Sequence, residues 1–169
     1  MRSARVRSRP AALGVAAVAL VLLAGCGSDD ETEAPAACIA PARDYLAVLE
    51  AAPEPVLLGG STPISDCLVA DQDPAELGQV GEEMISAATQ LNAEARRDPA
   101  GEATTQLGYL VGAAQQGAAE SGGTEGGGIH TDLLRRLDSA ARFSKGGKPL
   151  PASFERAFGE GYAAGQDGG

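Results

Sequence analysis

The sequence predicts an all-α fold: a small irregular bundle of four longer helices plus a short helical turn. Two observations predict this class. Apolar residues recur at steps of three and four in the segments that begin near residues 73, 100, 129 and 151, which is the period of an α-helix. Helix start and stop signals, mainly Asp-Pro pairs, single prolines and runs of glycine, separate these segments.

The N-terminal 26 residues have the features of a secretory leader. Four arginines precede a run from Ala11 to Ala24 that carries no charge. A basic start, a short apolar middle and small residues before the cleavage point are the typical parts of such a leader. The apolar run is too short for a membrane-spanning helix, which needs about 20 apolar residues.

The end of this leader, Leu23-Ala24-Gly25-Cys26, resembles the lipobox of bacterial lipoproteins, which is an aliphatic residue, a small residue, Gly or Ala, and an invariant Cys. The resemblance covers residues 1–26 only. It implies that residues 1–25 are a signal peptide and that Cys26 receives a diacylglyceryl group, whose two fatty-acyl chains (such as palmitate) anchor a protein stably. We therefore expect a lipid-anchored protein on the extracytoplasmic side of the cell membrane. The alternative is an ordinary cleaved leader in which Cys26 is incidental.

Charge and length constrain the mature chain. Removing residues 1–25 from the 169-residue sequence leaves 144, enough for one domain. Four of the 13 basic residues precede Cys26 and none of the 23 acidic ones does, so nine basic residues remain and the formal charge is −14. Such a surface repels nucleic acid and anionic lipid headgroups, so we expect neither as a partner. Residues 26–37 are polar and acidic and predict a disordered tether, followed by a helical domain over residues 38–169.

Two cysteines remain in the mature chain beside the lipidated one. Cys38 and Cys67 form an even pair in an exported chain, which predicts a disulfide. The bridge would close a loop of about 30 residues and would add about 3–4 kcal/mol of stability in the chain-entropy model. The alternatives are free thiols or a redox-active pair, although redox-active cysteines usually lie two residues apart.

The first helix is predicted to begin at Pro41, because proline suits the first turn of a helix and Tyr45 and Leu49 then share one side. Two prolines end this helix, and residues 53–62 are predicted to form a loop. A short helical turn that carries Cys67 follows. The predicted bridge would attach this turn to the beginning of the first helix.

The clearest start signal is Asp73-Pro74-Ala75-Glu76: an N-cap, a proline at the first helical position, and an acid three residues after the cap. The apolar side chains that follow are spaced for one buried stripe: Leu77, Val80, Met84, Ala88, Leu91 and Ala95. Arg96 and Arg97 suit the negative end of this helix. A second Asp-Pro pair at residues 98–99 is predicted to stop it and to begin the next helix.

The next helix is predicted from about Ala100 to Glu120, with Gly108 and Gly112 four residues apart on one side. Each glycine costs about 1 kcal/mol relative to alanine inside a helix, so the pair indicates a close backbone contact. We interpret this contact as packing within the bundle, with a contact between two copies of the chain as the alternative. The Gly-rich residues 121–128 are predicted to form a flexible hinge.

Two amphipathic helices complete the prediction. The first ends near Phe143 and has these residues on its inner face: Ile129, Leu133, Leu137, Ala140 and Ala141. The last helix runs to about Gly165, and its Phe154, Phe158 and Tyr162 lie four residues apart and share one face. This aromatic stripe either docks into the core or lines a groove, and the second interpretation makes the three residues candidates for ligand binding.

Few side chains could carry chemistry. The only histidine, His130, lies at the start of a helix behind the glycines, and we expect it at the surface or as a cap. Nucleophilic catalysis needs a base beside the nucleophile, and a zinc site of the His-Glu-x-x-His type needs two histidines. We therefore expect no catalytic constellation, no metal site and no cofactor.

Three functions remain open. The first, favoured by elimination, is a non-enzymatic interaction module that binds another protein of the cell envelope, which predicts an exposed apolar patch. The alternative is a small-ligand-binding lipoprotein with a pocket in the bundle, near the C-terminal aromatic stripe. The third is an enzyme, which would need a concave site with strongly displaced pKa values.

Overall fold

The computed structural model describes residues 33–123 and 128–169. These residues contain five α-helices: α1 (Ala42–Leu49), α2 (Pro74–Ala95), α3 (Glu102–Glu120), α4 (His130–Ala141) and α5 (Ala152–Gly168). Two-residue strands, β1 (Leu57–Leu58) and β2 (Thr62–Pro63), pair antiparallel, and turns of 3-10 helix span Ala36–Ile39 and Ser65–Cys67. The predicted all-α bundle and its four longer helices, α2 to α5, are confirmed. The predicted signal peptide and Cys26 lie outside the described residues.

A disulfide joins Cys38 to Cys67 in the core, as the sequence predicts, with their Cα atoms 5.4 Å apart. It connects the two 3-10 turns next to α1. Tyr45 is fully buried beside the bridge, and its hydroxyl donates a 2.7 Å hydrogen bond to the carbonyl of Cys38. Burial and the nearby Glu83 raise the pKa of Tyr45 well above its ordinary value, so the phenol stays a neutral donor.

The packed part of the chain begins earlier than predicted. Asp73 caps α2 as expected, since its carboxylate accepts the N–H groups of Ala75 and Glu76. The carboxylate of Glu76 in turn accepts a 2.7 Å hydrogen bond from the N–H of Ala34, which is buried. The segment assigned to the tether, residues 26–37, is therefore folded onto α2 from Ala34 onward.

Helices α3 and α5 pack backbone to backbone, which confirms that the glycine pair of α3 serves packing within the bundle. A Cβ atom on Gly108 or Gly112 would overlap the carbonyl oxygens of Phe158 and Tyr162. The contact is reciprocal, because two glycines of α5 meet carbonyls of α3 in the same way: Gly161 that of Thr105, and Gly165 that of Tyr109.

The aromatic stripe of α5 contributes to the core. Phe154 and Phe158 are buried with ring centroids 5.7 Å apart, whereas Tyr162 is partly exposed. Arg142, just after α4, lies 4.4 Å from the centre of the Phe158 ring and pairs with Glu155. The stripe therefore attaches α5 to the end of α4, and the burial of both phenylalanines supports the core interpretation.

Tyr109 explains two differences from the predicted boundaries. Its buried hydroxyl donates a 2.9 Å hydrogen bond to the carbonyl of Gly168, so α5 continues past Gly165. The same hydroxyl accepts a 3.0 Å hydrogen bond from the N–H of Val56. This bond fixes the chain at the entrance to the β1–β2 hairpin, within the region predicted as loop 53–62.

The starts of α3 and α4 lie later than predicted. A turn in which the N–H of Gly101 donates to the carbonyl of Asp98 precedes α3, so the helix begins at Glu102 rather than near Ala100. Helix α4 begins one residue after Ile129, which is exposed although the periodicity placed it on the inner face.

Replacing the central glycine of the α3–α5 contact tests its role. Gly112→Ala is expected to lower the free energy of unfolding by about 1–3 kcal/mol, because the new Cβ overlaps backbone that cannot move without separating the helices. Gly159→Ala is the matched control in α5, where nothing lies near the new Cβ, and it should raise stability by about 0.5–1 kcal/mol. Urea denaturation followed by circular dichroism measures both. If Gly112→Ala and Gly159→Ala changed the free energy of unfolding by the same amount and in the same direction, the close contact between α3 and α5 would be contradicted.

Candidate functional site

A cleft of about 570 Å³ lies between the C-terminal half of α2 and the end of α4. One wall consists of residues in the C-terminal half of α2 and just after it: Thr89, Asn92, Ala93 and Arg96. The other wall consists of residues at the end of α4 and just after it: Ser139, Ala140 and Phe143. Steps of three and four place each set on one face of its helix. The volume is in the range of sites for small organic ligands.

The sizes of the facing side chains explain why a cleft opens here. Near the start of the helix pair, a Cβ on Gly81 would lie 2.8 Å from Leu133 Cδ1, so α2 and α4 pack closely. Toward the other end, the facing side chains of Ala93 and Ala140 are small and leave the space between the helices unfilled.

Two polar side chains, one in α2 and one just after it, hold the end of α4. Asn92 is buried, and its Nδ2 donates a hydrogen bond to the carbonyl of Ala141, the last residue of α4. Arg96 donates from Nη1 to the carbonyl of Phe143 at 3.3 Å, and its guanidinium lies 5.9 Å from the centre of the Phe143 ring. Carbonyls at a helix C-terminus lack partners within the helix, so these bonds satisfy them and position Phe143 at the cleft.

The cleft combines an exposed ring with an unpaired cation. Phe143 is 61% exposed, the most of any large apolar side chain in the described residues. Within the part of the chain that the structure describes, Arg96 forms no ion pair, although Arg97 pairs with Glu94 and Arg142 with two carboxylates. An unpaired guanidinium beside apolar walls favours a ligand that is apolar and anionic.

Two other grooves, each of about 450 Å³, have a different character. Each is lined by three carboxylates: Glu33, Asp66 and Glu120 in one, and Glu50, Glu94 and Glu102 in the other. Across residues 33–123 and 128–169, no group of three or more His, Cys, Asp or Glu side chains is placed to hold a metal ion. The α2–α4 cleft differs from these grooves, because its described lining contains a guanidinium and no carboxylate, and it is the candidate site.

The residues that the sequence offered for ligand binding lie elsewhere. Phe154, Phe158 and Tyr162 follow α5, and the two phenylalanines are enclosed in the core. Phe154 borders a small cavity of about 140 Å³, which is below the usual size of a ligand site. Sequence reasoning treated Phe143 only as the end of a helix. The signal that could have indicated it is an aromatic side chain after the last apolar position of an amphipathic helix, in a chain with few aromatics.

The structure corrects the expectation that His130 is a surface or capping residue, because its side chain is completely buried. The first turn of α4 packs against the end of α3, where Gly123 leaves room for the ring. Nδ1 lies 3.1 Å from the hydroxyl oxygen of Ser121, whereas Nε2 has no hydrogen-bond partner among the described residues. Removal from water disfavours the imidazolium form and lowers the pKa of His130.

Other groups with displaced pKa values also lie away from the cleft. Burial raises the pKa of Tyr109, as it does that of Tyr45. A hydrogen bond from Arg135 lowers the pKa of Asp132 on the outer face of α4. These displacements have structural causes, and none of the four groups lines the cleft.

Comparison with protein-family models, with curated proteins and with solved structures finds no match to this chain. None of the helices in the described ranges is long and apolar enough to cross a membrane. The case for a function therefore depends on the leader sequence and on the geometry of the cleft.

The buried His130 predicts a loss of stability in mild acid. Because its pKa in the folded chain lies below the ordinary value of 6.5, the unfolded chain binds the proton first as the pH falls. The contribution of His130 to the free energy of unfolding should be complete above about pH 6.5 and should decrease as the pH falls toward the folded-state pKa. Urea denaturation at a series of pH values from about 8 to 5 measures the decrease.

His130→Gln supplies the comparison, since glutamine retains a polar side chain but does not titrate. Its stability should depend less on pH than that of the unmodified protein over the same interval, above the range in which Asp and Glu titrate. Parallel profiles for the two proteins would show that His130 does not couple folding to pH.

Proposed function

We propose that this protein is a non-enzymatic binding module, anchored through lipid on Cys26 to the extracytoplasmic side of the cell membrane, and that it binds a small apolar ligand in the α2–α4 cleft. The resemblance of Leu23-Ala24-Gly25-Cys26 to a lipobox supports the anchor. The shape and chemistry of the cleft support the binding role. The two parts of the proposal have separate tests.

The proposed anchor limits the distance between the domain and the bilayer. Ala34, the first buried residue among those that the structure describes, lies eight positions after Cys26. A chain of that length spans at most about 29 Å when fully extended. The cleft would therefore act close to molecules that enter or leave the membrane surface.

The binding role depends on one observation: apolar walls, an exposed ring and an unpaired cation meet in a single cleft. Small-ligand sites are mostly apolar, with a few polar groups that fix the orientation of the ligand. Here Ala93, Ala140 and Phe143 supply the apolar surface and Arg96 supplies the charge. Catalytic sites commonly contain groups with displaced pKa values, and the four groups with such values lie outside the cleft.

The interaction module favoured by the sequence is the second candidate, with another protein of the cell envelope covering the same surface. The exposure of Phe143 favours it, because aromatic side chains are enriched among the residues that dominate binding at protein interfaces. The two candidates predict occupants of very different mass.

A photo-reactive phenylalanine analogue at position 143 distinguishes these occupants in intact cells. We expect irradiation to add the mass of a small molecule to the full chain, because Phe143 lies at the cleft, and intact-protein mass spectrometry measures the addition. An adduct of protein size would favour the interaction module. The same analogue at position 163, an exposed site in α5, is the control. Equal labelling at both positions would contradict both candidates.

The anchor is tested by Cys26→Ala in the producing cell. The variant should no longer incorporate labelled palmitate, because alanine has no thiol to acylate. It should also keep its leader uncleaved and be absent from the lipid-anchored membrane fraction. Cys67→Ala, which also removes one thiol but leaves residues 23–26 intact, should keep the label. Unchanged acylation and membrane retention of Cys26→Ala would refute the anchor.

A further inference from the structure

We infer that the α2–α4 cleft binds an apolar molecule that ends in one oxyanion, such as a medium-chain carboxylate, and that Arg96 binds the oxyanion. The inference rests on the proposed function and names the ligand class of that site. Three properties of the cleft carry it: the free donors of Arg96, the apolar walls, and the absence of a second cation among the described residues that line it.

Arg96 keeps most of its hydrogen-bonding capacity. A guanidinium has five N–H donors in a planar fork. One of them donates to the carbonyl of Phe143, and no other side-chain hydrogen bond or ion pair of Arg96 occurs within residues 33–123 and 128–169. The contact with the Phe143 ring restricts the movement of the guanidinium. Such a fork matches the two oxygens of a carboxylate or phosphate.

The remaining surface of the cleft selects an apolar group. Ala93 and Ala140 leave the space between the helices open, and the Phe143 ring borders it. Three polar side chains of the lining each donate a hydrogen bond to a backbone carbonyl: Thr89 to Ile85, Asn92 to Ala141 and Ser139 to Arg135. Moving a hydrocarbon chain from water onto these walls favours binding in proportion to the apolar area buried.

The charges near the cleft disfavour other classes of ligand. A cationic amphiphile would place its charge against Arg96. A polyanion such as a nucleotide needs several cations, but Arg142, which precedes Phe143, is already paired with Asp138 and Glu155. The mature chain carries a formal charge of −14 once residues 1–25 are removed, which repels additional negative charge. One anionic group on an apolar body is the class that fits.

Calorimetric titration with three probes of equal chain length tests this class: octanoate, octan-1-ol and octylammonium. The mature chain, from the lipidated Cys26 onward, is held in phosphatidylcholine discs, and the heat from empty discs is subtracted. We expect octanoate to bind about tenfold more tightly than octan-1-ol, because it adds a charge-assisted hydrogen bond to the same apolar contact. Octylammonium should bind more weakly than octan-1-ol.

Substitutions assign the preference to one side chain. Arg96→Gln should remove the preference for octanoate, so that octanoate and octan-1-ol bind this variant with equal affinity. Loss of the contact between Arg96 and Phe143 would change both affinities together, so the ratio of the two affinities is the readout. Arg97→Gln is the matched control, since Arg97 is exposed and pairs with Glu94 outside the cleft. Ala93→Phe should abolish binding of octanoate and octan-1-ol, because the new ring fills the cleft.

The outcomes separate the inference from the function on which it rests. Equal affinities for octanoate and octan-1-ol, or a preference that persists in Arg96→Gln, would overturn the inference and leave the binding role standing. Failure of all three probes to bind would overturn both. Repeating the titration in discs that contain an anionic phospholipid distinguishes the two possible sources of the natural ligand. Weaker octanoate binding in these discs would assign the site to a membrane lipid, and unchanged binding would assign it to a free carboxylate.

Discussion

The contact on which the rest of the structure depends is the close approach of α3 and α5. Four glycines let the carbonyl oxygens of each helix meet the α-carbons of the other. Glycine lowers helix stability, so this arrangement is favourable only because it brings large side chains together. In a chain with 4% aromatic residues, it buries Tyr109, Phe154 and Phe158 in one core.

The α2–α4 cleft is a consequence of how the remaining helices attach to this pair. Arg142 attaches the end of α4 to α5 through the Phe158 ring, and Asn92 and Arg96 attach it to α2. Where α2 and α4 face each other with alanines, no side chain fills the gap. One donor of Arg96 satisfies the carbonyl of Phe143, and Arg96 also lines the cleft, so this structural contact is compatible with the proposed binding of an oxyanion.

Local signals in the sequence predicted most of the elements, because each depends on residues close together in the chain. The Asp73 cap, the proline starts and the apolar spacing are of this kind, and the helices formed where they indicated. The Cys38–Cys67 bridge and the glycine contact were also predicted, since an even cysteine pair and two helical glycines each imply a partner. Helix α5 has two glycines at the same four-residue spacing, Gly161 and Gly165, but this signal was not used to predict the partner of the glycine pair.

The amino-acid sequence by itself determined the all-α class, the helix order, the disulfide and the acidic charge, because periodicity, capping and composition are properties of the chain before it folds. Only the tertiary structure decided that His130 is buried, that Glu76 binds the N–H of Ala34, and that Phe143 and Arg96 meet at a cleft. Each of these depends on contacts between residues far apart in sequence. The direction in which a side chain faces is fixed by the neighbouring helix, and helix packing joins segments that no local pattern connects.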